Sequence, residues 1–218
     1  AGVRLLLQIK QDAAILREQK KLLRRDMLDR RKSFPAEERI RAGTIMREKA
    51  LHLSALDAAS VVMLYASTAE EIDLFPMMEI LLQRGKSIAL PHIIQKGQME
   101  ALSLTSPGHL VEGPFGIMMP DPMREDIVSP QQIDVIIVPG AAFSADGRRL
   151  GLGGGYYDRF LAKTVQAFRL VLAYDWQVVP DVPAAPHDAY VDAILTERRM
   201  IYCCGAGSRS MKKRCEDC

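Results

Sequence analysis

Arg148 and Arg149 stand directly before Leu150, and four glycines follow within five positions, Gly151, Gly153, Gly154 and Gly155, before Tyr156, Tyr157 and Asp158. Bare glycine backbone can take positive φ and bring amide groups close to an anion. A helix-like segment over residues 156–163 follows, and its N-terminal dipole would add positive potential at the same spot. Two arginines, glycine amides and a helix start are what a phosphate group needs. A plain glycine turn between a strand and a helix also accounts for the glycines, because a glycine run alone is weakly specific. The arginines before it, and the two tyrosines and the aspartate after it, favour the ligand site.

Other chemistry-bearing residues lie far away in the sequence. Lys20 and Arg24 are four apart and would share a helix face, where a lysine and an arginine can grip several anionic oxygens. Residues 17–32 carry eight Lys or Arg against three acids, a run that also fits a solvated basic face. Glu70, Glu71 and Asp73 sit in a loop after an apolar run. Among the histidines only His187, beside Asp188, has a neighbour that suits a structural or proton-handling role. His92 and His109 have none. The four cysteines, Cys203, Cys204, Cys215 and Cys218, fall in the last sixteen residues, so the body of the fold does not rest on disulfides. A four-thiolate zinc site is one reading of them. The adjacency of Cys203 and Cys204 and the polar, basic stretch 205–214 favour a frayed tail.

The elements that must position these groups follow from periodicity. Residues 10–32 read as one long helix with Leu16, Leu23 and Met27 on its apolar stripe and basic residues on the other faces. A second helix begins at Pro35 and runs to about residue 53, with acids in its first turn. Residues 60–65 are a short apolar run suited to a strand covered on both faces, 74–84 a helix closed by Gly85, and 87–90 a strand. Residues 92–94 and 99–104 read as a hairpin or edge addition around Lys96 and Gly97, and the proline-rich 108–130 as an irregular excursion whose Phe115, Gly116 and Ile117 could wall a pocket. Strands over 133–138, 170–174 and a last one over 191–195 complete the pattern. Strands alternating with helices predict an α/β class: a three-layer open, mostly parallel sheet with helices on both faces, Rossmann-like, with its site at the strand ends.

With 218 residues, 48% of them apolar, the chain can bury one sizeable core. No span of eighteen apolar residues is present, so no transmembrane helix is expected. The net charge of +2 does not point to a polyanion. The run Leu5-Leu6-Leu7 is too short for a signal-peptide core. The expectation is a cytoplasmic monomer with no membrane or nucleic-acid partner.

Arg149-Leu150-Gly151-x-Gly153-Gly154-Gly155-Tyr156-Tyr157-Asp158-Arg159-Phe160-Leu161, after Ile133-Asp134-x-Ile136-Ile137-Val138-Pro139-Gly140 and Phe143-x-x-x-Gly147, resembles the signature of the 5-formyltetrahydrofolate cyclo-ligase family. Lys20-x-x-Leu23-Arg24 resembles its N-terminal basic motif, Glu71-Ile72-Asp73 its Glu-x-Asp loop, and Pro186-His187-Asp188-x-x-Val191-Asp192 with Thr196-Glu197 its C-terminal motif. The resemblance spans about residues 20–197 and leaves a helical extension over 1–19 and a Cys-containing tail over 198–218 outside the cyclo-ligase domain. It implies the type of fold found in sugar-phosphate isomerases and coenzyme A transferases.

It also implies an ATP- and Mg2+-dependent ligase that makes 5,10-methenyltetrahydrofolate from 5-formyltetrahydrofolate, releasing ADP and phosphate. ATP would phosphorylate the formyl oxygen, a poor leaving group, so that the second folate nitrogen can close the ring. By resemblance, Lys20, Arg24 and the stretch Arg149, Leu150, Gly151, Leu152, Gly153, Gly154, Gly155, Tyr156 and Tyr157 would hold ATP. Ala66, Glu71, Phe115, Leu152, Gly153, Gly154, Gly155 and Tyr156 would contact the folate, with Tyr156 and Arg149 closest to the chemistry. Asp158 and Asp188 would bind Mg2+, with Asp192 the alternative to Asp188. Leu152 and Ala66 are smaller than the residues usual at those places in the family. Two other readings are a phosphate-ester or coenzyme A enzyme on a related scaffold, and a nucleic-acid binder using the basic helix.

Overall fold

The computed structural model describes residues 2–204, with side chains from residue 8 onward except that of Phe115. An eight-stranded sheet forms the centre. Its strands in chain order are β1 (Val61–Met63), β2 (Ser87–Gln95), β3 (Gln98–Ser103), β6 (Ile127–Val128), β7 (Val135–Ile137), β10 (Phe168–Leu172), β11 (Ala193–Leu195) and β12 (Met200–Tyr202). Two small hairpins, β4 (Leu110–Glu112) with β5 (Met118–Pro120) and β8 (Ala142–Phe143) with β9 (Arg149–Leu150), lie outside it. The spatial order is β12-β11-β10-β7-β1-β2-β3-β6. The five strands from β11 to β2 are parallel and the additions at both edges antiparallel.

The apolar runs explain the layers. Successive strand residues face opposite sides, so a run apolar at every position buries both faces. Val62, Val135, Ile137, Leu170 and Leu172 face one side, packed with Met46 of α2 (Ala36–Ala50) and Met77, Met78 and Leu81 of α4 (Phe75–Gln83). Met63, Ile136, Val171 and Ile194 face the other, packed with Phe160 and Leu161 of α5 (Tyr156–Leu161). A short α3 (Ser54–Ala58) leads into β1. Helix α4 stops where expected: Gly85 takes φ +75°, and the Gly85 and Lys86 amides donate to the Leu82 and Leu81 carbonyls at 2.9 and 3.0 Å.

The chain goes from β1 through α4 to β2 on one side, and from β7 through α5 to β10 on the other. Neighbouring β1 and β7 therefore mark a switch point, where loops leaving the carboxyl ends part and a crevice opens.

Several expectations need correction. Helix α1 is continuous over Gly2–Ser33 and so begins earlier than the 10–32 read from its stripe. Of its expected stripe, Leu23 and Met27 pack with Leu28 against Ala141, Ala142, Leu150 and Val182, whereas Leu16 lies outside that cluster, and Lys20, Arg24 and Arg31 share the packed face instead of lying on the others. Residues 191–195 are not the last strand: β12 pairs antiparallel with β11, carrying the sheet past position 197. Residues 139–147 hold β8, and the excursion over 108–130 holds the β4–β5 hairpin and β6, strands of two or three residues that are too short to show a period.

That excursion is pinned by one carboxylate. Glu125 has no exposed side-chain surface. Its Oε1 accepts from the Thr105 amide (2.8 Å), the Thr105 hydroxyl (2.7 Å) and His109 Nδ1 (2.7 Å), and its Oε2 from the Ser103 hydroxyl (2.5 Å). Burial alone would raise the Glu125 pKa, but these donors overcome it and hold it at about 2. A folded-state pKa below the ordinary value, about 4.3, gives stability that is complete above the ordinary value and is lost as pH falls toward the folded one. Wild-type protein should therefore lose more of its urea midpoint between about pH 5 and about pH 3 than Glu125→Gln does. An equal acid loss in both proteins would show that this carboxylate contributes nothing to acid stability.

Candidate functional site

A cavity of about 420 Å³ opens at the switch point. Tyr65, Ala66, Thr68 and Glu71 wall it after β1, Pro91, Ile93 and Met99 from the β2–β3 hairpin, and Pro139 after β7. Ile117 and Met119 close it from the excursion, and the glycine loop with the start of α5 forms the floor. The lining is mostly apolar with a few convergent polar groups, the make-up of a small-molecule site.

The glycines in the loop meet different requirements. Gly153 (φ +104°) and Gly155 (φ +64°) hold left-handed backbone, and Gly155 is the residue before α5. A Cβ at Gly154 would come within 2.5 Å of the Tyr156 ring, and one at Gly151 within 2.9 Å of the Arg149 guanidinium, so these two permit close approach. Arg159 clips the loop to the hairpin tip, donating to the Gly97 carbonyl at 2.5 Å and the Gly154 carbonyl at 2.6 Å. Helix α5 has only six residues, so the dipole contribution expected from a segment over 156–163 is small.

The paired arginines do not act together. Arg148 binds Asp146 (2.8 Å), Asp181 (2.6 Å) and the Val182 carbonyl (3.1 Å). Arg149, with 3% of its side chain exposed, lines the cavity and donates to the Pro139 carbonyl (3.0 Å) and to Asp158 Oδ1 (2.7 Å). Its Nε is buried with no hydrogen-bond partner. Leu150 packs its side chain into the α1 contact, leaving only its backbone for a ligand, whereas Leu152 lines the cavity and is half exposed. The Phe115 side chain lies outside the described residues; Ile117 of the same turn does line the cavity.

Helix α1 reaches the cavity with Arg31, while its Lys20 and Arg24 meet the loop and the turn at Asp188 without lining it. Arg24 Nε donates to the Gly151 carbonyl at 2.8 Å, and its guanidinium comes within 3.7 Å of where a Gly153 Cβ would stand. Burial lowers the Arg24 pKa and Asp188 counters that. Lys20 pairs with Asp188, which also accepts the Ala185 amide at 2.5 Å. Asp158 Oδ1 accepts the Ala189 amide at 3.1 Å, which joins Asp158 to the turn bearing Asp188. Asp192 accepts the buried Arg169 amide at 2.8 Å just before β11, at the other end of the parallel strands from the cavity.

Glu71 lines the cavity, with its Oε2 held by the Thr68 amide at 2.9 Å. Its partner Arg31, 3.5 Å away, went unnoticed in the sequence. The signal was there: Lys20, Arg24, Met27 and Arg31 step by four, three and four along one helix face. Burial, then the Glu71 carboxylate, push the Tyr65 and Tyr157 phenols up, so both stay protonated; the Tyr157 hydroxyl is buried with no partner.

His187 is 81% exposed and 3.9 Å from Asp188, while His92 pairs with Glu100 at 3.2 Å and His109 with Glu125. Cys203 is a core residue whose thiol is pushed up to about 12 by burial first, and Cys204 is exposed. Cys215 and Cys218 lie outside the described residues. Among the described residues no three His, Cys, Asp or Glu groups cluster as metal ligands, and no helix is long and apolar enough to cross a membrane.

A doubly wound sheet with a glycine loop between a mostly apolar cavity and a basic helix face defines a small-molecule enzyme of the α/β class. The family model described as 5-formyltetrahydrofolate cyclo-ligase matches residues 16–197. The chain is 30% identical over 191 residues to the Mycolicibacterium smegmatis 5-formyltetrahydrofolate cyclo-ligase, covering 84% of this chain and 95% of that one. It is 29% identical over 196 residues to the mouse enzyme of that name, covering 85% and 97%. The solved structure of Aquifex aeolicus 5,10-methenyltetrahydrofolate synthetase superimposes with a TM-score of 0.76 at 33% identity, covering 84% of this chain and 92% of that one. The chain belongs to the 5-formyltetrahydrofolate cyclo-ligase family of ring-forming carbon–nitrogen ligases. The family's reaction is the ATP-dependent conversion of 5-formyltetrahydrofolate to 5,10-methenyltetrahydrofolate. The isomerase and coenzyme A readings are set aside.

Alanine at Gly155 would keep positive φ, at a cost of about 1–2 kcal/mol, and would set a Cβ 3.0 Å from Arg159 Nη1. Gly155→Ala should lower both the urea midpoint and turnover. A variant with wild-type stability and rate would show that the loop does not need this conformation.

Proposed function

We propose that the cavity holds 5-formyltetrahydrofolate and that the opposite side of the glycine loop, with Lys20 and Arg24, holds the triphosphate of ATP. The supporting observation is the position of the loop: Gly151, Gly154 and Gly155 line the cavity, while the Gly151 carbonyl and Gly153 also meet Arg24 of α1. A loop so placed can hold a triphosphate whose terminal phosphoryl group reaches past Gly151 to the formyl oxygen in the cavity, and positioning of this kind supplies much of the rate of phosphoryl transfer.

In this reading Glu71, held by Arg31 and Thr68, accepts hydrogen bonds from the amide-like donors of the pterin. The Tyr157 hydroxyl donates into the cavity, and Tyr156, whose ring lies on Gly154, faces the folate. Ala66 and Leu152 contribute apolar wall, and Arg149 fixes Asp158 while adding positive charge beside the reacting groups. Attack of the folate's second nitrogen on the activated carbon then expels phosphate.

The donor set fits Mg2+. Asp158 Oδ2 takes no hydrogen bond among the described residues, and Asp188 is held by Lys20 close to the same turn. One or two carboxylates completed by water and phosphate oxygens are what this ion prefers. When bound, Mg2+ would offset phosphate charge; Asp158 and Asp188 would hold it. In the same reading the enzyme works as a monomer in the cytoplasm, which gel filtration and cell fractionation test.

The absorbance of 5,10-methenyltetrahydrofolate should appear when 5-formyltetrahydrofolate, ATP and Mg2+ are combined with the protein, and not when ATP is omitted. No product under any condition would refute the ligase reading. Asp158→Asn, which keeps an amide oxygen for Arg149 and Ala189, should abolish turnover while its circular dichroism stays native; full activity would remove Asp158 from the metal site.

A further inference from the structure

The buried carboxylate of Glu125 lies outside the cavity and takes no part in the chemistry above, yet it joins the neck of the excursion that closes the cavity. His109 precedes β4 and Glu125 follows β5, so their 2.7 Å contact closes the neck from both sides. The Asp121 amide donates to the His109 carbonyl at 2.8 Å, tightening the same closure. Ser103 and Thr105, at the end of β3, tie Glu125 to the main sheet.

Beyond this neck the hairpin consists of two strands of three residues, and a two-stranded hairpin on its own is marginal in water. Its tip carries Ile117 and Met119 into the cavity wall. The Met119 sulfur lies so close to Gly113 that a Cβ there would come within 2.5 Å of it, so the position of this side chain follows that of the hairpin backbone.

We infer that Glu125 is a positioning residue for the folate: its grip on His109, Ser103 and Thr105 sets the stance of the β4–β5 hairpin and hence the apolar wall formed by Ile117 and Met119. The inference rests on the reading that folate occupies the cavity. Glu125 touches no ligand and acts through the two wall residues. Loosening it weakens folate binding equally in the ground and transition states and leaves the phosphate side untouched.

Steady-state kinetics on the full chain with both substrates test this. Glu125→Gln and His109→Leu should raise KM for 5-formyltetrahydrofolate roughly 5–10-fold while kcat and KM for ATP stay within about twofold of wild type. His109→Asn, whose amide can replace the Nδ1 donor, should restore KM to near wild type. If Glu125→Gln fails to fold, the half-exposed His109 variants decide alone. A merely structural role would lower the melting temperature and kcat together with folate KM unchanged, and that result would overturn the inference. Met119→Asp separates the two levels. If it too leaves folate KM unchanged, the cavity reading falls and the inference with it; if it raises folate KM while His109→Leu does not, only the role of Glu125 falls.

Discussion

A buried guanidinium holds this molecule's site in one piece. Arg149 reaches from β9 to the Pro139 carbonyl at the end of β7 and to Asp158 on α5, and Asp158 in turn holds the turn at Ala189. The next residue back, Asp188, closes the chain of contacts onto Lys20 of α1. Five segments thus share one run of charge-assisted hydrogen bonds. Taking one partner from a buried ion pair leaves the other charge uncompensated and costs about 3–5 kcal/mol, so each member of the run constrains the rest. The glycine loop can be thin and largely without side chains because its rigidity is supplied from around it.

How far this was legible in the sequence differs by element. The strands around β1, β7 and β10 could be read because each is apolar at successive positions, which only a strand covered on both faces tolerates. The glycine loop could be read from its composition, and Lys20, Arg24, Glu71, Asp158 and Asp188 from a family pattern that lies in the right order. The two arginines before the loop could not. Arg148 lies in the turn before β9 and pairs with Asp146 and Asp181, while Arg149 opens the strand and meets Pro139 and Asp158, so the two diverge although the sequence sets them together. Strands β4, β5, β6 and β12 were missed because two or three residues carry no period, and their pairing is decided by tertiary contacts.

The basic helix shows how a charge count misleads. Its excess of positive charge suggested a solvated face or a polyanion surface, yet the members of that run on the packed side have partners within the chain. Lys20, Arg24 and Arg31 meet Asp188, Gly151 and Glu71, and Arg30 lies 4.6 Å over the Trp176 ring. Long aliphatic stems let these side chains cover apolar neighbours while their heads reach polar ones. A stripe of leucines interrupted by lysine and arginine at the same period marks a helix docked on a polar site more than one floating in solvent.

The two edges of the sheet have a consequence for the molecule's solubility. Five parallel strands in register would offer long rows of open amides and carbonyls to any other chain. Here one edge ends in β6, two residues long and followed by Ser129 and Pro130, and the other in β12, three residues long. Strands this short leave little template for a stranger to add to, and a proline beside one of them removes a donor as well. Among the described residues, the antiparallel additions therefore cover the long edges of the parallel core and leave only short strands at its rims.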